Sequence, residues 1–573
     1  MKRTYGETLK RLGCMTLAAL MVTASAGCGG NPSSEPPAAS TDAGGAVSTE
    51  NSEAPATEDG PLTPYADPVK ISWGVQSSQV QVFMDGATYD DNQWSKKIKD
   101  DLNIDLEVAF SADITTDAYK NKLNSIIASG DLPDVFRWDD RTLYKQLYEN
   151  GDIMDITDVF NKYASDGVKE YQTKFPESFE GARFDGRLYA FPYMNDNFHQ
   201  VPYLWIRDDW LANLNAQPPT TVEEMIALAR RFKNEDPDGN GIADTYGLGV
   251  NKNVVIADMG TLTGLLSAYG IPGRRNTAAF YRRDGKITFA YIQPEAKEAL
   301  AVARDMYAEG LLDTEFIVKD TSVLEQDVAS GKLGMMYHMN WGTWYPFNLT
   351  FESEGVITRP YPIPKASGYD YKVAIEDSRT GDLFMVSAKC KNPEAIIKIL
   401  NLYYETVEVS NNPDDFTTYW DNEQYRLCPI YVGIPTELYA NDVFALQDSG
   451  DSGENLAGML KNVYGFVINF ANGTDTSPSA YGTWGMMFEN GSMGIALKNY
   501  RKDNAVVTNI MAGEIPDIWM QNSGALGTMV DTAYTDIIIG NKPLDYFDQF
   551  VSEWLTAGGQ QTLDELEKLY PAN

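Results

Sequence analysis

From Val69 to the C-terminus, short apolar runs of strand length alternate with longer stretches of helical spacing, and no other feature narrows the fold as much. Val69–Trp73 and Ile104–Phe110 read as strands, with a helical segment near Asn92–Asp101 between them. Ala118–Ser129 sets Leu123, Ile126 and Ile127 on one helical face, and Asp134–Phe136 begins the next strand. This β-α-β order predicts an α/β fold. Further on, Pro294–Glu309 reads as helix, Lys332–Tyr337 as strand, and Pro393–Tyr404 and Pro543–Leu555 as amphipathic helices. The body approaches 500 residues, beyond the roughly 250–300 that one core supports, so at least two domains are expected. No repeat of solenoid period appears.

The most specific chemistry lies between Leu204 and Gly247. Tyr203–Ile206 is a strand signal, and Thr221 with Glu224 forms a capping box ahead of Val222, Met225, Ile226, Ala229 and Phe232 on one helical face. The loop that follows places Asp236, Asp238 and Asn240 at positions one, three and five of a calcium loop. Gly241 stands at the sharp turn, Ile242 offers a carbonyl at position seven, and Asp244 stands at position nine. Calcium wants six to eight oxygens, and alternate side chains in a tight turn converge on one point. Position twelve, where a bidentate Glu belongs, is Gly247, so another ligand must come from elsewhere. The plain alternative is a polar turn closing a helix. An ion here would be structural, since no reacting group lies nearby.

The N-terminus carries an export signal over residues 1–27. Lys2, Arg3, Lys10 and Arg11 supply its basic start, and Met15–Val22 is an apolar run too short to span a bilayer. Small residues leading into Cys28 resemble the bacterial lipobox, with Cys28 as the lipidated first residue of the mature protein. Ser25 departs from the Leu usual at that place, and an ordinary secretory cleavage is the alternative. Residues 28–68 read as the lipidated Cys and a disordered, Ser-, Gly- and Pro-rich linker. The formal charge of −35, with the leader's net +3 removed, becomes −38. Such a balance disfavours nucleic acid and peripheral docking on anionic lipid. Of four cysteines, Cys390 and Cys428 remain for the body, and the sequence leaves them bonded or free.

Five segments in order resemble the extracellular solute-binding proteins of bacterial ABC importers. They are LNSIIASGDLPDVF (123–136), DGRLYAFPYMND (185–196) followed by YLWIRDDWL (203–211), GKLGMMYHMNWG (331–342), PYPIPKASG (360–368) and GNKPLDYFDQFVSEW (540–554). The DPDGNGIAD loop is similar to the calcium loop of the large lipoprotein, oligosaccharide-binding branch that includes alginate-binding proteins. Thr245 stands where relatives often carry Glu, which puts one ligand in doubt. The resemblance implies a two-lobe periplasmic-binding-protein-like (type II) fold, its lobes discontinuous in sequence and joined by hinge crossings. Lobe 1 would comprise residues 69–197 with about 383–450, and lobe 2 residues 198–382 with about 451–573. It also implies a lipid-anchored monomer on the outer face of the membrane that captures a carbohydrate and delivers it to permease subunits.

Sugar binding needs flat apolar faces for the ring and paired polar groups for its hydroxyls. Open α/β sheets bind ligands at the C-terminal ends of strands. Trp73, Trp138 with Asp139, Tyr193, and the Asn340, Trp341 and Trp344 group satisfy both criteria, although any single ring is as readily core. Trp420 and Trp484 belong to the same aromatic set. Arg207 would clamp a ligand or pair with Asp208 or Asp209. The main rival is a secreted glycoside-active enzyme; a receptor for peptides or other solutes and a surface adhesin are two more. No zinc motif, nucleophile elbow or phosphate loop is present, and no acid stands in a recognisable catalytic context, so no catalysis is expected.

Overall fold

Two β-sheets of different make-up organise the chain. The first has five strands: β1 (Val69–Ser77), β2 (Ile104–Asp113), β3 (Val135–Trp138), β4 (Ala190–Met194) and, much later in the chain, β8 (Thr380–Val386). Their spatial order is β2-β1-β3-β8-β4. β1 runs parallel to β2 and β3, whereas β8 is antiparallel to both β3 and β4. The C-terminal ends of four strands and the start of β8 therefore share one edge. The second sheet has three strands, β5 (Tyr203–Arg207) flanked by β6 (Met335–His338) and β7 (Thr358–Tyr361), all antiparallel. Every residue of β5 is buried, which is why it reads as a continuous apolar run rather than an alternating one. This computed structural model describes residues 59–572 except 78–82, 85, 115–117, 195–197, 256–258, 274–278, 377–379, 422, 434–435 and 512–515. The export signal, Cys28 and the linker through residue 58 lie outside the described residues.

Local sequence rules hold well at the helix ends. Asn92 caps helix Gln93–Leu102 by accepting from the Trp94 and Ser95 amides, and Asn103 ends it in the left-handed region at φ 57°. Thr221 and Glu224 form the expected capping box on helix Val222–Asn234, whose Val222, Met225, Leu228, Ala229 and Phe232 are buried. Helices Ala118–Ser129 and Pro393–Tyr404 occupy the residues expected of them. Strand Met335–His338 is shorter than the predicted Lys332–Tyr337 and ends one residue later, and helix Tyr546–Trp554 is a trimmed version of the predicted Pro543–Leu555.

One boundary is corrected. Residues 59–68, read as the end of the linker, are fastened to the body. The ammonium of Lys398, whose side chain is almost fully buried, pairs with Asp59 at 2.6 Å and donates to the Thr63 carbonyl. Asn401 donates to the Pro61 carbonyl, and the Tyr65 hydroxyl donates to Glu394. A lysine inside the protein must find its counter-charge somewhere, and this strap supplies it. The segment is too polar to announce itself as core. Cys390 and Cys428 are both buried and unbonded. None of the described helices is long and apolar enough to cross a membrane.

Candidate ligand cleft

The shared edge of the five-stranded sheet gathers polar groups around one strand end. Arg137, inside β3, is a charged residue in an otherwise apolar run. Its guanidinium pairs with Asp382 of β8 at 3.0 Å, hydrogen-bonds the Tyr431 hydroxyl, and lies 5.2 Å from the centre of the Tyr431 ring. Burial pulls the Arg137 pKa down, but Tyr431 and Asp382 outweigh it and leave it above its ordinary value. The Arg137 carbonyl accepts from the Gln76 amide of β1 at 3.2 Å and from the Tyr119 hydroxyl at 3.0 Å. Arg141 donates to the Gly381 carbonyl at 2.9 Å, tying the start of helix Arg141–Asn150 to β8.

Rings continue from this point towards the second sheet. Tyr193 meets Tyr431 edge-on with centroids 5.5 Å apart, and Tyr431 meets Tyr425 at 5.1 Å. Tyr425 lies 6.1 Å from Trp420, which in turn faces Trp344 at 6.2 Å. Trp344 belongs to the turn after β6, so the run of aromatic faces joins the edge of one sheet to the end of a strand in the other. Trp344 is held from behind by Gly482, where a side chain would come within 2.6 Å of its ring. Arg426 sits over the Tyr425 ring at 5.4 Å and pairs with Glu423. The Arg426 side chain keeps 29% of its exposure, yet desolvation is the largest influence on its pKa, opposed by Glu423, which leaves that pKa raised. Tyr193 and Tyr425 are likewise half-buried, with pKa values raised by burial. Water thus reaches Tyr193, Tyr425, Arg426 and Trp344 in part, while Tyr431 between them is buried.

The expected site residues divide between this surface and the interior. Tyr193 and Trp344 lie on the aromatic run. Trp138 stacks on Tyr119 at 5.2 Å and lines a cavity of about 150 Å³ together with Lys120, Asn124, Asp140, Thr142 and Gln146, while Asp139 beside it is exposed. Trp341 is half-buried with its ring edge-on to His338 at 4.3 Å. Burial lowers the His338 pKa to about 3, so that imidazole is neutral packing material. Trp73 is 4% exposed and Asn340 fully buried, both inside the core. The Arg207 side chain packs over Trp210 at 5.0 Å and grips Asp209 through two hydrogen bonds of 3.0 and 2.6 Å. Trp484 stacks within a buried cluster with Tyr481. The sequence reading missed Arg137, Asp382, Glu423, Tyr425, Arg426 and Tyr431. Only Arg137 carried a signal, as a charge within a buried strand.

The acidic loop has oxygens of the right type for a hard cation. Asp236 takes a positive φ of 50° and accepts from the Gly241 amide at 3.0 Å. Burial, then the adjoining Asp236 carboxylate, raises the Asp238 pKa, and a bound cation would relieve that repulsion. Asn240 places its amide nitrogen 2.6 Å from Asp238 and 3.5 Å from Asp244. Ile242 is 60% exposed. Thr245 donates instead to the Phe232 carbonyl at the end of the preceding helix. Gly247 packs so closely on Ala229 that a side chain would come within 2.5 Å, which is why position twelve holds no ligand. Among the described residues, no group of three acids, histidines or cysteines closes on one point.

A family model described as bacterial extracellular solute-binding protein matches residues 86–407. The fructooligosaccharide ABC transporter substrate-binding protein FusA of Streptococcus pneumoniae is 26% identical over 320 residues, covering 54% of this chain and 57% of FusA. The match thus spans little more than half of that relative. Lipoprotein LipO of Bacillus subtilis is 21% identical over 480 residues, covering 80% of this chain and 85% of LipO. Crystallised with kestose, FusA is similar with a TM-score of 0.63 at 18% identity, covering 87% of this chain and 98% of that one. FusA has also been solved as an EF-hand mutant with fructo-nystose (TM-score 0.63, 17% identity, 87% and 98% covered). The alginate-binding protein AlgQ2, solved without calcium ion, gives a TM-score of 0.61 at 17% identity, covering 89% of this chain and all of that one. These likenesses establish the expected fold: two α/β lobes, discontinuous in sequence and joined by crossing segments.

Proposed function

The chain belongs to the bacterial extracellular solute-binding proteins, and from that premise we propose that it captures an oligosaccharide between its lobes and delivers it to the permease of an ABC importer. The observation that carries this reading is the run of rings from Trp344 to Tyr193, in which Trp344, Trp420, Tyr425 and Tyr193 are half-buried and Tyr431 is buried, flanked by the Arg137–Asp382 and Arg426–Glu423 pairs. Aromatic faces take the C–H surfaces of sugar rings, and ion-paired groups take the hydroxyls. A ligand that touches groups from both sheets gains its full contacts only when the lobes are closed, so binding shifts the population towards closure. The permease then receives the closed form. The sugar leaves unchanged in this reading, as the membership in a family of binding proteins supports.

The proposed lobes are residues 69–197 with about 383–450 and 198–382 with about 451–573; because β8 begins at Thr380, the five-stranded sheet moves the second crossing ahead of that residue, and the 59–68 strap joins the first lobe. Cys28 anchors the chain by lipid on the outer face of the membrane, and the mature protein acts as a monomer. Asp236, Asp238, Asn240, the Ile242 carbonyl and Asp244 hold a structural calcium ion, with water completing the shell that Gly247 leaves open. FusA, with its own EF-hand, supports this reading.

Thermal-shift measurements on the chain from residue 29 onwards, with and without oligosaccharides, test the receptor reading. A sugar far above its dissociation constant should add roughly 3 kcal/mol of stability and be recovered intact. Cleavage of the sugar would make the protein an enzyme, and no shift with any sugar would remove the carbohydrate assignment. A fall in melting temperature on chelation, absent in Asp238→Asn, would identify the calcium loop.

A further inference from the structure

The charges bordering the cleft bear on which sugars it takes. Every guanidinium there already has a partner. Arg137 is held by Asp382 and the Tyr431 hydroxyl, Arg426 touches Glu423, and Arg141 donates to the Gly381 carbonyl. On the wall beside Trp138, Lys120 stands with Asp140 and the neighbouring Asp139. The four cations named, Arg137, Arg141, Arg426 and Lys120, are thus matched in number by the four carboxylates Asp139, Asp140, Asp382 and Glu423.

Its carboxylates are less completely used. The Asp382 and Glu423 side chains keep 25% and 31% of their exposure. Glu423 Oε2 and Arg426 Nε are enclosed and in contact, but not aligned as a hydrogen bond, so each retains hydrogen-bonding capacity. Glu423 also sits at φ 64°, in the left-handed region, where a residue with a Cβ stays only when its surroundings demand it.

We infer that the cleft selects neutral oligosaccharides over uronate-bearing ones, with Asp382 and Glu423 as the specificity-determining acceptors for sugar hydroxyls. This rests on the receptor reading above. Vicinal hydroxyls donate two hydrogen bonds to a carboxylate whose orientation a guanidinium has already set. A uronate instead brings its charge against two carboxylates in a desolvated site, where like charges repel far more strongly than in water. Arg137 and Arg426, the two guanidinium groups nearest these carboxylates, already have them as counter-charges.

Calorimetric titration of the chain from residue 29 onwards, with kestose, nystose and lacto-N-tetraose set against trigalacturonate and tetramannuronate, is the test. At least one neutral oligomer should bind, and the acidic ones at least 100-fold more weakly. An acidic oligomer binding as tightly as the neutral ones overturns the selectivity and leaves the receptor intact. Binding of neither kind overturns the receptor reading instead. Glu423→Gln should weaken the neutral ligand about tenfold and narrow the gap to the acidic one, and an unchanged affinity removes Glu423 from the role. Asp382→Asn unpairs Arg137 and is read alongside its melting curve; if it fails to fold, Asp382→Glu keeps the charge, and its neutral affinity must still fall.

Discussion

Arg207 and Arg426 are both arginines paired with a nearby acid, and the contrast between them separates a brace within the fold from a pair at the proposed cleft. The Arg207 side chain is 6% exposed, lies flat on Trp210 and donates two aligned hydrogen bonds to Asp209, which stands in the first turn of the next helix. Its partner is two residues away, so the pair forms as soon as the strand meets the helix. Arg426 keeps 29% exposure, touches Glu423 without alignment, and shares its surroundings with Tyr425 and the other cleft rings. Arg207 Nη1 is enclosed without a hydrogen-bond partner among the described residues, so what sets its pair apart is its burial and its two aligned bonds to Asp209, whereas the Arg426 pair is more exposed and unaligned.

The sharpest way to break this contrast is Asp209→Ala. It leaves a nearly buried guanidinium without its carboxylate, and removing one member of such a pair costs about 3 kcal/mol. The urea midpoint should fall accordingly, while sugar affinity stays within twofold. A large loss of sugar affinity at unchanged stability would move Arg207 into the cleft.

Buried acids that lack a cation altogether form a third case. Burial raises the Glu408 pKa to about 7, although the Tyr439 hydroxyl donates to it at 2.7 Å, and raises Asp531 to about 7 against one bond from the Val255 amide at 3.1 Å. Each binds its proton more tightly in the folded state than in the unfolded chain, where carboxyls titrate near pH 4. Their share of stability is therefore present at low pH and lost as pH rises from roughly 4.5 to 7. Each should contribute about 1–2 kcal/mol to that slope, allowing for the solvent that reaches them. Urea midpoints at pH 5, 6 and 7.5 should decline in the parent chain and decline less in Glu408→Gln. Equal slopes would mean that Glu408 is ionised throughout.

Much of the architecture was legible because its determinants are local. The capping box at Thr221 and Glu224 and the apolar face of Pro393–Tyr404 follow from a few adjacent residues. Of the proposed cleft, the sequence pointed to Trp138 and Trp344 because a strand end there carries its own chemistry. Arg137 and Asp382 meet because β8 returns some 240 residues later to lie between β3 and β4, and no spacing rule brings that pair to notice. Trp73 misled because the end of a strand also lies over the core, and a buried indole there has the same sequence context as an exposed one. The 59–68 strap was missed because its place is set by Lys398, far along the chain.

Trp344 sharpens the comparison from the aromatic side. Trp344→Ala removes the face that the second sheet contributes to the run, and one stacked ring is worth about a tenfold change in affinity. Trp484→Phe is its control, since that ring lies in the interior with Tyr481 and should alter melting but not binding. Equal effects on affinity would mean that the cleft does not discriminate between them.

The smallest effect expected is at Asp208, next to Asp209 in sequence and similarly exposed but paired with a far more exposed arginine. Its pair with Arg359 is about one-third exposed on both sides, 29% for the acid and 37% for the guanidinium, and the Tyr361 hydroxyl adds a long contact of 3.4 Å. Water already solvates both charges, so their attraction is screened and ordering the long side chain takes back part of it. Asp208→Asn should therefore shift the urea midpoint by less than about 1 kcal/mol. Set beside Asp209→Ala, it compares two neighbouring acids paired with arginines that differ chiefly in burial. Should the two cost the same, enclosure of the guanidinium would not be what makes the Arg207 brace, and the distinction from the cleft pairs would have to rest on hydrogen-bond alignment alone.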